Sequence, residues 1–341
     1  MSHLSFDFLQ ECDHAPRLTE MAAFFSATAS GLSGVPRKRP VVDLRLVQQD
    51  QGMIDFISKH QTLWGRFDPH YFSSIPYRLE EEARLGHALF TYGLDRGSYS
   101  LPVGYYVLGS AEGTFARTLG TMANGVIRTL SCSPNDENRE SFYLHGDPEF
   151  SSFFLGPFHR LDASYLLADP VLRQLYGKFD IILEDTTFQM YSPNRSAQIA
   201  FVKSHLKDDG IMLFIEKFRH PDPAEYARRE LQKDYGYKAR FFSSNEIDQK
   251  NETILKTMNL NEVTHEDMAQ AIAQHFRYAS LTWNSGNFYT VAASNSASNL
   301  QDLIGRMCEP CIPNEYVYSD LPQSMAGLAI DLPSFRKVVG P

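Results

Sequence analysis

From residue 103 onward, short β-prone apolar runs alternate with segments whose apolar residues recur at helical spacing. Residues 105–108 are the first run. Gly109-Ser110-Ala111-Glu112-Gly113 is then a tight turn of small residues, after which Phe115, Ala116 and Leu119 mark one face of a helix. Residues 125–130 read as a second strand, ending in Ser131-Cys132-Ser133-Pro134-Asn135, and residues 152–158 as a short third that ends in Gly156-Pro157. Residues 179–183 form a fourth, closed by Glu184-Asp185-Thr186-Thr187. A helix over 193–206 turns Ile199, Ala200, Val202 and Leu206 inward, and a turn at 207–210 leads into a fifth strand, 211–215. Strands that alternate with helices build a largely parallel sheet covered on both faces. Such a doubly wound sheet binds ligands at the carboxyl ends of its strands, near the switch in strand order. Residues 278–283 and 288–293, joined by Asn284-Ser285-Gly286-Asn287, carry a hairpin signal.

The flanking segments have a different pattern. Residues 1–100 are mostly helical, with a helix over 16–27, a loop over 30–40 and a long helix from 79 to 94. In that last helix Leu79, Ala83, Leu85, Ala88, Leu89 and Tyr92 share a face, and Glu80, Glu81, Glu82 and Arg84 are expected mostly outside. Residues 219–276 are helix-rich and polar, and the tail after 294 holds a helix over 298–307 before Pro-rich irregular chain. The expected organisation is a helical N-terminal cap (1–100), a Rossmann-like domain (101–294) with a helical insertion at about 219–276, and a C-terminal extension (295–341).

Composition narrows the function classes. With 43% hydrophobic and 21% charged residues the chain reads as globular. A net charge of -9 argues against a broad phosphate-binding surface, so nucleic acid is not an expected partner. No apolar run approaches bilayer length and residues 1–16 do not read as a signal peptide, which makes a cytoplasmic location the expectation and a membrane no partner. Cys12, Cys132, Cys308 and Cys311 are too few and too scattered for a disulfide framework. Cys308-x-x-Cys311 lacks a second pair at suitable spacing, so no metal is expected and the two thiols read as structural.

The order of motifs resembles the class I S-adenosylmethionine-dependent methyltransferases. It rests on Leu108-Gly109-Ser110-Ala111-Glu112-Gly113 after the first strand, Ser133-Pro134 after the second, Phe179-Asp180-Ile181-Ile182-Leu183-Glu184-Asp185 as the fourth, and HLKDDGIMLFIEKF over 205–218. The resemblance covers about 103–294 and implies an α/β, doubly wound, mostly parallel seven-stranded sheet whose closing hairpin supplies the last two strands. It implies S-adenosyl-L-methionine as cofactor, held by Gly109, Ser110, Ala111, Glu112, Gly113, Ser131, Ser133, Phe158 and Glu184. Val107 and Ser131 stand where the family usually has acidic residues, the second of which binds both ribose hydroxyls. Glu112, Asp136 or another acid therefore substitutes, or cofactor binding is weak or lost.

Methyl transfer from a sulfonium is an in-line displacement, which asks the protein for positioning and, where the nucleophile carries a proton, a base. Asp185 and Glu184, at the end of strand four, are the leading candidates for that base or for holding an amine, although one of them could simply cap the following turn. His159 is a further candidate base. The aromatic stretch that contains Trp64, Phe67, Tyr71 and Phe72, together with Tyr191, is a candidate lining for a substrate chamber, or alternatively core. The resulting expectation is a methyltransferase acting on a small-molecule metabolite, with a homodimer possible. The alternatives are a methyltransferase-like binding or scaffold protein, favoured by Val107 and Ser131, and an aminopropyl-type transferase on the same fold.

Overall fold

A computed structural model describes residues 4–47, 50–109, 111–145 and 149–337 of the chain. One sheet organises it: β1 (Val103–Leu108), β2 (Ile127–Ser133), β3 (Ser151–Leu155), β4 (Phe179–Asp185), β5 (Leu206–Lys217), β6 (Tyr278–Ser285), β7 (Phe288–Ser294) and β8 (Gln323–Ser324). The order is β3-β2-β1-β4-β5-β7-β6-β8. The first five strands run parallel, and β7, β6 and β8 add antiparallel pairings. The chain leaves β1 toward β2 and β3 and then crosses back to β4. The strand order therefore switches between β1 and β4, where Leu108 lies beside Glu184.

Successive strand residues point to opposite faces, and each face is buried. Tyr106, Leu108, Leu130, Ile182, Met212 and Phe214 pack in one core with the helices Arg195–Lys203 and His265–Ala273. Tyr105, Val107, Ile181, Leu183, Ile211 and Leu213 pack in the other with the helices Arg78–Arg96, Thr114–Met122 and Ala297–Arg306. Burial on both faces explains why these strands read as continuous apolar runs.

Three expectations are corrected. The sheet has eight strands, because Gln323 and Ser324 pair with Leu281 and Ser280 along the edge of β6. The Pro-rich tail gave no sign of this two-residue pairing. The fifth strand spans Leu206–Lys217, so the 207–210 turn is part of the strand. In the helix Arg78–Arg96 the charged face is buried: Glu81 and Arg78 are 0% exposed. That face lies under the C-terminal tail and the β6–β7 hairpin. Arg84 donates to Cys308 O at 2.7 Å and Thr282 O at 2.9 Å and pairs with Glu81 at 2.8 Å, while Arg78 pairs with Glu82 at 2.5 Å. Buried charges persist only when paired in this way.

The insertion contains two π-helical turns, Gln232–Tyr237 and Asn251–Leu255. Such turns are rare and are frequently found at functional sites.

Candidate functional site

The carboxyl ends of β1, β2 and β3 open on a cleft lined by Gly109, Ala111, Cys132, Ser133, Phe158 and Tyr191, among others. Gly109 and Gly113 both have φ of +67°, the left-handed region that glycine occupies without strain. A Cβ on Gly109 would lie 1.8 Å from Thr187 Oγ1, and one on Gly113 would lie 2.3 Å from Ser131 Oγ. The turn is thus pressed against both β4's exit and β2. Ser110 lies outside the described residues.

The other residues expected on the cofactor side are divided by the fold. Ser133 lines the cleft and accepts Asn138 Nδ2 at 2.8 Å. Phe158 lines it with its ring 5.1 Å from that of Tyr191. Ser131 is fully buried beneath Gly113, and its hydroxyl has no hydrogen-bond partner among the described residues. Glu112 faces away from the cleft. Its carboxylate accepts the backbone N–H groups of Phe67 at 2.8 Å and of Arg66 and Asp68 at 3.2 Å, and the Ser141 hydroxyl. Glu112 therefore holds the start of the helix Asp68–Ser74. Asp136 is exposed and pairs with Arg139 at 2.8 Å. Among the described residues no carboxylate lines the cleft.

What does line it is Arg17. This guanidinium is 6% exposed, donates to Asn135 Oδ1 and sits 4.2 Å over the Phe25 ring. It makes no ion pair among the described residues, and burial lowers its pKa against the opposing influence of Tyr191 and Cys132. With Arg17 and Phe25 in place the cleft offers only about 30 Å³, far below the roughly 300–1,000 Å³ of ligand pockets.

A second cavity, of about 110 Å³, adjoins the first and shares Phe25, Phe67, Gly109 and Met190 with it. It lies over the ends of β1, β4 and β5. Tyr71 also lines it, as do Lys217, Lys233, Lys238 and Lys250. Of the expected substrate residues, Phe67 and Tyr71 thus face this chamber and Tyr191 faces the cleft. Trp64 and Phe72 do not face either: they stack on each other, centroids 5.2 Å apart at 9°, in a core with Met53 and Leu79. The aromatic stretch divides because its helix turns alternate faces between core and chamber.

Asp185 reaches the chamber only through Tyr71, whose hydroxyl donates to Asp185 Oδ1. Asp185 Oδ2 accepts from Arg78 Nη2 at 3.3 Å, Arg78 pairs with Glu82, and Glu82 lies 3.1 Å from His60 Nε2. His60 Nδ1 accepts from Trp64 Nε1 at 2.9 Å. Burial raises the Asp185 pKa despite Arg78, and burial also holds Tyr71 well above the usual phenol range. Glu184 points elsewhere. It accepts the Phe188 N–H at 2.9 Å and the Thr187 N–H, closing the turn after β4, and burial followed by Glu216 holds it well above the carboxylate range. His159 lines neither cavity; its Nε2 lies 2.9 Å from Asp13 Oδ1, and burial lowers its pKa. The thiols of Cys308 and Cys311 are buried and free, 3.9 Å apart. No group of residues that could hold a metal ion occurs among the described residues, nor does a helix long and apolar enough to cross a membrane.

Five parallel strands in the order 3-2-1-4-5, extended by an antiparallel hairpin, form the sheet plan that the sequence resemblance implies. The fold is of the class I methyltransferase type. No family model matches the chain, and no curated protein matches it in sequence. Among solved structures it is similar to the plantazolicin methyltransferase BpumL in complex with SAH, at 9% identity over 73% of this chain and 99% of that one, with a TM-score of 0.42. It is similar to the mitomycin 7-O-methyltransferase MmcR at 12% identity, covering 71% and 67%, with a TM-score of 0.38. A SAM-dependent methyltransferase from Aquifex aeolicus matches at 11% identity, covering 70% and 96%, with a TM-score of 0.39. These similarities assign no ligand to this chain.

Lys233, Lys238 and Lys250 were missed in the sequence because the insertion reads as a polar region, and Lys217 because it closes the fifth strand. The one available signal was local: aromatics at 235, 237, 241 and 242 are interleaved with Lys233 and Lys238, a pattern that suggests part of this polar stretch is covered.

Proposed function

We propose that the chain is an S-adenosylmethionine-dependent methyltransferase acting on a small molecule. The observation that carries this reading is the junction of two cavities at Gly109 and Met190, where the strand order switches. A nucleoside-type cofactor on the β1–β2–β3 side and an acceptor under the insertion would meet there. The backbone turn fits such a group at Gly109, which lines the cleft without a side chain, and Phe158 and Tyr191 supply apolar walls for a purine. Arg17 supplies donors for ring or ribose oxygens and nitrogens, and Asn138, whose amide nitrogen donates to Ser133, offers its buried Oδ1 as an acceptor for a ribose hydroxyl where the family uses a carboxylate. The cofactor supplies the electrophilic methyl group when bound.

The chain's own residues then have three tasks. Phe25 and Arg17, from the segment around 16–29, cover the cleft and keep water out, so this segment withdraws when the ligand enters. Phe67 and Tyr71 orient the acceptor against the junction. Where the acceptor atom carries a proton, Tyr71 takes it while passing its own to Asp185, which is poised to accept it by burial. The test is methyl transfer and a thermal shift with S-adenosylmethionine and its demethylated product: a ligand that binds only the native state must raise stability. Absence of a shift with either compound overturns the reading.

A second reading has three specific observations in its favour. The closed cleft of about 30 Å³, the buried Ser131 and the unpaired Arg17 suit a protein that keeps the fold as a binding or scaffold unit without the cofactor. The same thermal shift separates the two.

A further inference from the structure

The four chamber lysines come from three places: Lys217 from the end of β5, Lys233 and Lys238 from the first π-helical turn and the residue after it, and Lys250 from the residue before the second. Their counter-charges are unequal. Lys217 pairs with Glu230 at 2.8 Å and Glu262 at 2.7 Å, and Lys233 pairs with Glu230 at 2.5 Å. Lys238 has Asp234, at 2.9 Å, as its ion-pair partner. Lys250 has no carboxylate partner among the described residues; its Nζ lies 2.7 Å from His70 Nε2 and 3.1 Å from Ser74 Oγ. His70 Nδ1 is 2.7 Å from the Gly34 carbonyl, which can only accept, so His70 carries its proton there and Nε2 accepts from Lys250.

The inventory is four amines against three carboxylates, Glu230, Asp234 and Glu262. Glu246 stands at the mouth of the neighbouring cavity, exposed, with its carboxylate turned to Ser243. That cavity encloses about 200 Å³ and shares Phe24, His70, Ser74, Lys238 and Lys250 with the chamber. The two together reach the low end of the roughly 300–1,000 Å³ range of ligand pockets. Phe24, Phe242, Ile247, Ile254 and Met258 give them apolar walls.

We infer that this double cavity binds an apolar or aromatic carboxylic acid, its carboxylate held by Lys238 and Lys250 and its body on the apolar walls. Lys238 and Lys250 are the two amines common to both cavities. One excess positive charge calls for a monoanion. With no anion present, burial and then the ammonium groups of Lys238 and Lys233 push Lys250 well below the usual lysine range, opposed by Asp234. Arrival of the anion makes the Lys250 ammonium favourable, so the acid's carboxylate binds together with one proton. His70, kept neutral by burial and Lys250, does not compete for that proton. That the bound acid is the methyl acceptor rests on the methyltransferase reading; that it binds does not.

The probes are 3-phenylpropionate, the uncharged 3-phenylpropionamide, and inorganic phosphate, measured by calorimetry at pH 7 with the full chain. The acid is expected to bind at least tenfold more tightly than the amide and more tightly than phosphate. Lys250→Met and Lys238→Met should each lose tenfold or more, while Lys178→Met, an exposed lysine beside Asp208, should leave affinity unchanged. Repeating the titration in two buffers of different ionisation enthalpy should show net proton uptake with the acid and none with the amide; this wild-type measurement holds even if a variant fails to fold. Equal affinity for acid and amide, tighter binding of phosphate, or no proton uptake overturns the inference. A parallel titration with the demethylated cofactor keeps the two questions apart: acid binding without cofactor binding sinks the methyltransferase reading alone, and the reverse sinks the carboxylate site alone.

Discussion

The carboxylate of Glu112 accepts the backbone N–H of Phe67 at 2.8 Å and thereby ties the glycine turn after β1 to the helix that carries Tyr71. An acid in the turn of this fold is the natural first choice for a cofactor contact. Here its oxygens are taken up by three backbone donors and the Ser141 hydroxyl.

Glu112→Gln should therefore act on stability. The amide keeps one acceptor oxygen and turns an NH₂ group toward backbone donors, which costs on the order of 2 kcal/mol. Urea unfolding should show the loss with an unchanged slope. A variant of wild-type stability with weakened cofactor binding would instead make Glu112 a direct ligand.

Phe25→Ala should tighten binding of the demethylated cofactor while lowering the melting temperature. Phe25 lies between Phe67 and the Arg17 guanidinium in the closed cleft. Removing it weakens the closed arrangement by about 2 kcal/mol, and a ligand that needs that arrangement opened gains up to roughly thirtyfold in affinity. Calorimetry decides: unchanged or weaker affinity means that the segment is no cover.

Asp185→Asn and Tyr71→Phe should each lower turnover by roughly 100-fold if they move one proton between them, and the double variant should lose little more than either alone. Glu184→Gln should cost less than tenfold, since that carboxyl caps Thr187 and Phe188 and is held toward its neutral form by burial. Additive losses at Asp185 and Tyr71 would show that they do not act as a unit.

Lys250→Met should raise stability at neutral pH. The folded chain holds Lys250 below its ordinary value of 10.5, whereas the unfolded chain titrates near it. Between those two points the unfolded state binds the additional proton, so this residue's penalty shrinks as pH rises toward 10.5. The variant's advantage should accordingly be largest near pH 7 and fade by about pH 10 in chemical denaturation. An advantage that does not change with pH would mean that Lys250 keeps its charge when buried.

The central strands β1 and β4 and the glycine turn after β1 were determined by the sequence alone. Continuous apolar runs at β1 and β4 can be stable only in the middle of a covered sheet, and Gly109 and Gly113 mark backbone that no side chain could occupy. Those are local rules, and periodicity and glycine express them within a few residues. The burial of Glu81 and Arg84, the turning of Glu112 away from the cleft and the gathering of four lysines around one cavity were decided only by the tertiary structure. Each depends on partners far along the chain: Arg84 on Cys308, Glu112 on Phe67, Lys250 on His70. A charged residue looks the same in sequence whether it faces water or a distant partner. Burial is a property of the packed molecule, which is why the scaffold could be read from the chain and the chamber's chemistry could not.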